Sequence, residues 1–152
     1  MLKMETKDFG TIEIMEKDII NFPRGLPGFL DRKEFVFLPA GEDSPFIIMQ
    51  SREEKELAFV TLEPGNFIEN YQFEIDDKTE EMLKLESMSD VTVFNIASIR
   101  EESEDITINL AAPLVVNLQE NLGRQVILDP EHFPVRYRVF SSKKKAESGV
   151  EE

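Results

Sequence analysis

Short apolar runs, broken by turn chemistry, constrain this chain more than any other feature. Leu2, Met4 and Thr6 alternate with Lys3, Glu5 and Lys7; the chain turns at Asp8-Phe9-Gly10; Ile12 and Ile14 then alternate with Thr11 and Glu13. A period of two with one wet face predicts a half-buried hairpin. Denser runs follow at residues 35–38, 46–49, 57–60, 91–96, 106–110, 113–118 and 126–128. Each has strand length and is rich in β-branched or aromatic side chains. Leu26-Pro27-Gly28-Phe29 and Glu63-Pro64-Gly65-Asn66 place Pro then Gly centrally, which suits a type II turn. Asn121-Leu122-Gly123 stands where a hairpin must reverse between the last two strands.

One segment reads as a helix. In residues 77–85, Asp77 is placed to cap, Glu80 to return the capping box, and Met82 and Leu85 to face the core. Acidic residues fill its first turn, as the helix dipole favours. Residues 66–71 leave room for a shorter helical turn. Nine or ten short strands with one or two short helices predict a mainly β fold, a small antiparallel β-barrel-like or sandwich domain. No strand–helix order repeats, which argues against a parallel doubly wound sheet, and no internal repeat is visible. Residues 1–140 contain no linker and are expected to form a single domain. Residues 141–152 hold one apolar side chain larger than alanine, too little to offset ordering entropy, so a disordered charged tail is expected there.

Composition removes several function classes. With 152 residues the chain can bury roughly two-thirds of its unfolded surface and needs no metal or disulfide to hold a core. It has no cysteine, which excludes disulfides, thiolate metal sites and thiol catalysis, and its single histidine excludes multi-histidine zinc sites. Residues 1–8 are charged where a secretory signal would be apolar. The longest nearly apolar run, residues 110–116, contains a proline and falls short of the about 20 residues a spanning helix needs. The expectation is a soluble, cytoplasmic protein with no membrane partner.

The chain carries 31 acidic and 17 basic residues, net −14. Residues 53–105 hold 16 acids and 4 bases, net −12, against −2 before this block and zero after it. Such a balance opposes direct nucleic-acid binding, which needs Lys and Arg to displace counterions. The block is either a solvated surface that confers solubility or a face that attracts a basic partner. An RNA-binding protein would be a natural target, and a docked acidic face would repel phosphates within about 8 Å, one Debye length at physiological salt.

No phosphate loop, nucleophile elbow or kinase signature is present. His132 in Pro130-Glu131-His132-Phe133-Pro134 reads as a surface residue before it reads as a general base. Glu101-Glu102-Ser103-Glu104-Asp105 lacks the alternating acids and central glycine of a calcium loop. Carboxylate pairs for glycoside hydrolysis are available, but the chain has no Trp and two Tyr for sugar stacking. An enzyme is not expected, nor a cofactor or metal.

Phe94-Asn95-Ile96, Ile108-Asn109-Leu110 and Val116-Asn117-Leu118 each set an asparagine among apolar neighbours, where strands disfavour it. Either these residues end strands and satisfy local backbone, or they form a polar row open to another chain. Leu26 and Phe29 offer a similar choice between core plugs and partner contacts.

At these segments the chain resembles the flagellar assembly factor FliW family. The resemblance runs through Gly25-Leu26-Pro27-Gly28-Phe29, then Ser44-Pro45-Phe46, Met49-Gln50-Ser51 and Leu57-Ala58-Phe59. It continues in order through Val93-Phe94-Asn95-Ile96, Asn109-Leu110-Ala111-Ala112-Pro113 and Gly123-Arg124-Gln125-Val126-Ile127-Leu128. It covers about residues 3–140 and leaves residues 101–105 and the lysine-rich tail unmatched. Leu-Pro-Gly-Phe alone recurs by chance; the collinear set is specific. The resemblance implies a non-enzymatic β-barrel-like protein that binds the translational repressor CsrA, relieves its block on flagellin mRNA, and is sequestered by flagellin. The alternative is a flagellin-binding chaperone without an RNA-regulatory role. Phe46, Gln50, Phe94, Asn95, Ile96 and Asn109 are the partner-binding candidates, because polar and apolar groups mix there within expected strands.

Overall fold

A computed structural model describes residues 1–68, 70–99 and 105–141 of the chain. Residues 101–104 of the acidic run, and the expected tail beyond Ser141, lie outside the described residues. Strands β1 (Leu2–Glu5) and β2 (Thr11–Ile14) form the expected hairpin, with Leu2 opposite Ile14 and Met4 opposite Ile12. Its turn is tied by Thr6, whose hydroxyl donates to the Gly10 carbonyl at 2.7 Å and accepts from Phe9 N–H at 2.8 Å.

The rest of the fold is a closed barrel. β3 (Ile19–Asn21), β4 (Glu34–Pro39), β5 (Ile47–Ser51), β6 (Ala58–Leu62) and β7 (Thr92–Ile99) each pair with the next in sequence, with a longer excursion between β6 and β7. That excursion holds the helix α1 (Asp77–Met82). β8 (Asp105–Ile108), β9 (Leu114–Asn117), β10 (Leu122–Gln125) and β11 (Tyr137–Ser141) follow. The cylinder runs β7-β6-β5-β4-β3-β10-β9 and closes where β9 pairs back onto β7. All neighbours are antiparallel except β10 and β3, which meet in parallel at Leu122 and Asn21. β8 and β11 extend the sheet outward from β7. The fold is thus mainly β with one α-helix, and of the two expected architectures it is the barrel.

Aromatic rings fill the cylinder. Phe22, Phe35, Met49, Leu114 and Val116 are fully buried with Leu26; Phe22 meets Phe35 edge-on at 5.6 Å and Phe37 stacks on Phe94 at 4.5 Å. The β1–β2 hairpin covers Val36 through Met4 and Ile14. A third cluster, Leu62, Ile108 and Leu110, lies under Phe46, Tyr71, Phe133 and Tyr137.

Several local expectations shift. The helix cap is Asp76, not Asp77: its carboxylate accepts from Thr79 N–H at 2.9 Å. The inward side is also different: Thr79 and Leu83 are buried, and Met82 and Leu85 are only half-buried. Gly28, at φ +86°, makes the expected type II turn, closed by Phe29 N–H to the Leu26 carbonyl at 2.7 Å. Glu63-Pro64-Gly65-Asn66 instead forms a 3₁₀ turn, with Phe67 and Ile68 N–H both on the Pro64 carbonyl at 2.9 Å.

Residues 126–128 form no strand. The last barrel strand is β10, just before them, and the ladder stops because its neighbour Pro113 has no N–H to offer. Val126 and Leu128 still donate to the Pro113 and Ala111 carbonyls at 2.9 and 2.6 Å. Strands β3 and β11 were not expected: one is three residues long, and the other alternates Tyr137 and Val139 with Arg138.

Gly123 shows how tightly the barrel is filled. A methyl group there would lie 2.6 Å from Cζ of the fully buried Phe22 ring. Gly123→Ala should therefore lower unfolding free energy by about 1–3 kcal/mol, the usual cost of overpacking. Urea denaturation with an unchanged m-value would measure it, and wild-type stability in the variant would refute the contact.

Candidate partner-binding face

The six candidate residues sit mostly inside the protein. Gln50 is fully buried and ties the N-terminal hairpin to the β5–β6 turn. Its Oε1 accepts from Lys7 N–H at 3.0 Å, and its Nε2 donates to the Ser51 and Lys55 carbonyls at 3.0 Å. Phe94 points into the barrel against Phe37, Ile96 packs half-buried on the same core, and Phe46 joins the outer cluster. Asn95, Ile96 and Asn109 come together: Asn95 Nδ2 donates to the Asn109 carbonyl at 2.7 Å, and Asn109 N–H donates to the Ile96 carbonyl at 3.1 Å.

That junction has a structural cause. β8 and β9 lie along the same edge of β7, but Ala97 faces Ile108 whereas Phe94 faces Leu114, so three extra residues bulge between them. Asn95 sits at the break, where its Nδ2 also reaches the Tyr71 hydroxyl at 3.2 Å; that hydroxyl donates to the Leu110 carbonyl at 2.6 Å. Asn95 Oδ1 is buried without a partner among the described residues. Asn109 ends its strand and accepts from Ala111 N–H at 2.9 Å, and Asn117 ends β9 by accepting from Gln119 and Glu120 N–H. Asn109 and Asn117 thus satisfy local backbone at strand ends, while Asn95 lies within its strand.

Asn117 also reaches out of the barrel. Its Nδ2 donates to the Leu83 and Lys84 carbonyls at 2.8 and 3.3 Å, satisfying the C-terminal end of α1. At the other end, Arg124 of β10 donates to the Thr79 hydroxyl at 2.9 Å. Six residues cannot hold a helix alone, so these anchors and buried Leu83 fix its position. Thr79 hydrogen bonds, and secondarily the Arg124 charge, hold the Asp76 carboxyl below the usual carboxylate range.

Three adjoining hollows open beside α1. The largest, about 620 Å³, is lined by Asp77, Glu80, Glu81, Glu86, Asp90 and Glu120, with Lys84 as its cation. Among the described residues, Lys84 pairs only with Glu120, at 4.0 Å. The second, about 440 Å³, shares Glu80, Leu85 and Glu86 with the first and adds Phe73, Ile75, Met88 and Val91. The third, about 460 Å³, shares Phe73 and Val91 and is floored by Ile68, Tyr71 and Val93. Together they make a trough with an apolar floor and an acidic rim. Seven of the sixteen acids of the net −12 block, Glu63, Glu74, Asp77, Glu80, Glu81, Glu86 and Asp90, line these hollows. Sequence reasoning missed it as a site because the floor residues Tyr71, Phe73 and Ile75 belong to no strand or helix; their alternation with Gln72, Glu74 and Asp76 was the available signal.

Among the described residues, no helix is long and apolar enough to cross a membrane, and no three His, Asp or Glu side chains gather as a metal site. A small closed barrel with an acid-rimmed trough has the form of a protein that presents a surface. Comparison with known proteins gives the family. The FliW protein family model matches residues 3–139. The flagellar assembly factor FliW of Desulfitobacterium hafniense strain Y51 is 42% identical over 147 residues, covering 97% of both chains. That of Geobacillus kaustophilus is 44% identical over 142 residues, covering 93% of this chain and 98% of that protein. A crystal structure of the flagellar assembly factor FliW superposes with a TM-score of 0.85 at 41% identity, covering 93% of this chain and 99% of the other. The chain belongs to the FliW family.

Burial pushes the Tyr71 hydroxyl up to about 12, with the Asn95 hydrogen bond pulling the other way. The folded protein therefore keeps this proton where the unfolded chain, near 10.0, loses it. Its stabilising contribution is complete below pH 10 and falls as pH rises from about 10 to about 12. Thermal melts across this range should show that loss, and Tyr71→Phe should flatten the Tyr71-dependent part of the slope. An unaltered slope in the variant would place the alkaline sensitivity elsewhere.

Proposed function

We propose that the protein is a non-enzymatic flagellar assembly factor of the cytoplasm. It binds CsrA, relieves repression of flagellin mRNA, and is itself sequestered by flagellin. The observation that carries this reading is the family match over residues 3–139, with relatives that are flagellar assembly factors along nearly their whole lengths. The acid-rimmed trough supports the electrostatic part of it. An RNA-binding protein presents cations to phosphate, and a face carrying Glu80, Glu81 and Glu86 without cation partners among the described residues complements them. Docked beside the RNA site, the same carboxylates raise the energy of a phosphate chain within about one Debye length, 8 Å at physiological salt. Flagellin then acts by mass action, lowering the free pool of the antagonist. Phe46, Gln50, Phe94, Asn95, Ile96 and Asn109 form a second set of positions for mutation. Every such variant needs a folding check, because Gln50, Phe94 and Asn95 are buried.

The deciding experiment mixes the purified protein with CsrA and labelled flagellin leader RNA, then adds flagellin. RNA should leave CsrA as the protein is added and return as flagellin is added. Absence of release with flagellin binding intact would leave a flagellin-binding chaperone. Raising salt should weaken the release, and Glu80→Gln/Glu81→Gln/Glu86→Gln should weaken it on the order of tenfold, mostly through slower association. A salt-independent effect would remove the electrostatic mechanism.

A further inference from the structure

Between Asn70 and α1 the chain is extended but unpaired. Tyr71, Phe73 and Ile75 are half-buried while Gln72 and Glu74 are exposed, the alternation of a strand on a surface. Yet no backbone hydrogen bond joins residues 71–75 to any described residue. Across the trough stands the start of β7. Its ladder with β6 covers only Asn95 and Ile96, so Thr92 and Val93 have no ladder partner on that side. The β6 side cannot extend the ladder, because the chain turns away at Pro64 into a 3₁₀ turn. Two stretches of unpaired backbone thus flank one slot, floored by Tyr71, Phe73, Val91 and Val93. Unpaired strand edges are templates for another chain.

We infer that this slot takes an extended segment of a basic partner by strand addition, one in which apolar side chains alternate with lysine or arginine. The period follows from the floor: every second residue of an added strand would face Tyr71, Phe73 and Val93, and the others would face outward. The charge follows from the rim: Glu63, Glu74, Glu86 and Asp90 line the slot and its continuation, where opposite charges on neighbouring strands attract. This inference rests on the reading of the protein as a binding partner and adds where and in what conformation a partner is held.

Amide-resolved hydrogen exchange tests it. The probes are purified CsrA and, separately, a synthetic peptide of alternating lysine and valine at millimolar concentration, with an alternating glutamate–valine peptide as control. Strand addition should slow exchange about tenfold or more at every second amide within residues 71–75, or at Thr92 or Val93. The glutamate peptide should have no effect. Phe73→Asp should abolish the protection, and Glu74→Pro should reduce it, because proline removes a donor that no internal bond uses. Amide spectra of both variants would check that the barrel is intact. Unchanged exchange at all these amides with both probes would overturn the inference. So would shifts at Tyr71 and Phe73 side chains without amide protection, which would place a helical segment in the slot. Release of RNA from CsrA without protection here would overturn the slot and leave the regulatory reading. Protection without any RNA release would do the reverse.

Discussion

The architecture depends on one edge of β7 serving two strands. Thr92, Val93 and Phe94 close the barrel on β9, and Ala97, Ser98 and Ile99 then pair with β8 three residues out of register. Closure removes two exposed sheet edges, but a ladder cannot absorb extra residues without leaving backbone groups unpaired in the interior. Asn95 resolves this. Its amide reaches the displaced Asn109 carbonyl and the Tyr71 hydroxyl, and Tyr71 in turn takes the Leu110 carbonyl. A hydrophobic side chain at position 95 would fill the volume and leave those groups unmatched. Leaving Asn95 Oδ1 unpaired among the described residues costs roughly 1–3 kcal/mol, which closure of the cylinder must exceed.

What could be read locally was read from period and turn chemistry. The hairpin register followed from alternation, because a slip by one residue would send Met4 and Ile14 to solvent. Gly28 fixed its turn because position three of a type II turn needs positive φ. The same dipeptide at Pro64-Gly65 carries equal local information, yet there the chain enters a 3₁₀ turn beside β7. The one-residue error at the helix start has the same origin. Asp76 and Asp77 are equally good caps in sequence, and only the burial of Thr79 and Leu83 chooses between them. Asn95, Asn109 and Asn117 looked alike as a trio, but the register break at β7 separates one interior node from two strand ends.

The acidic face lies further from local legibility. Sixteen acids in residues 53–105 were countable, but the gathering of seven of them along the trough is set by contacts far apart in sequence. Asn117 holds the end of α1 from 34 residues away, and Arg124 holds its beginning from 45 residues away. Neither is acidic, and neither would be chosen from the charge pattern. Both set where Glu80 and Glu81 project.

Rim and floor have separable physical roles. Exposed unit charges about 4 Å apart in water interact by only about 1 kcal/mol, and salt weakens that further. In the proposed complex the rim therefore governs approach and choice of partner more than residence. Residence has to come from burying Tyr71, Phe73 and Val93 and from pairing backbone that is now open, both of which depend little on salt. Under the proposed function, a face built this way would let partners arrive quickly by charge and remain according to fit. When two partners differ in fit, the free pool of the better-fitting one decides which complex persists, and no conformational change in the barrel is required.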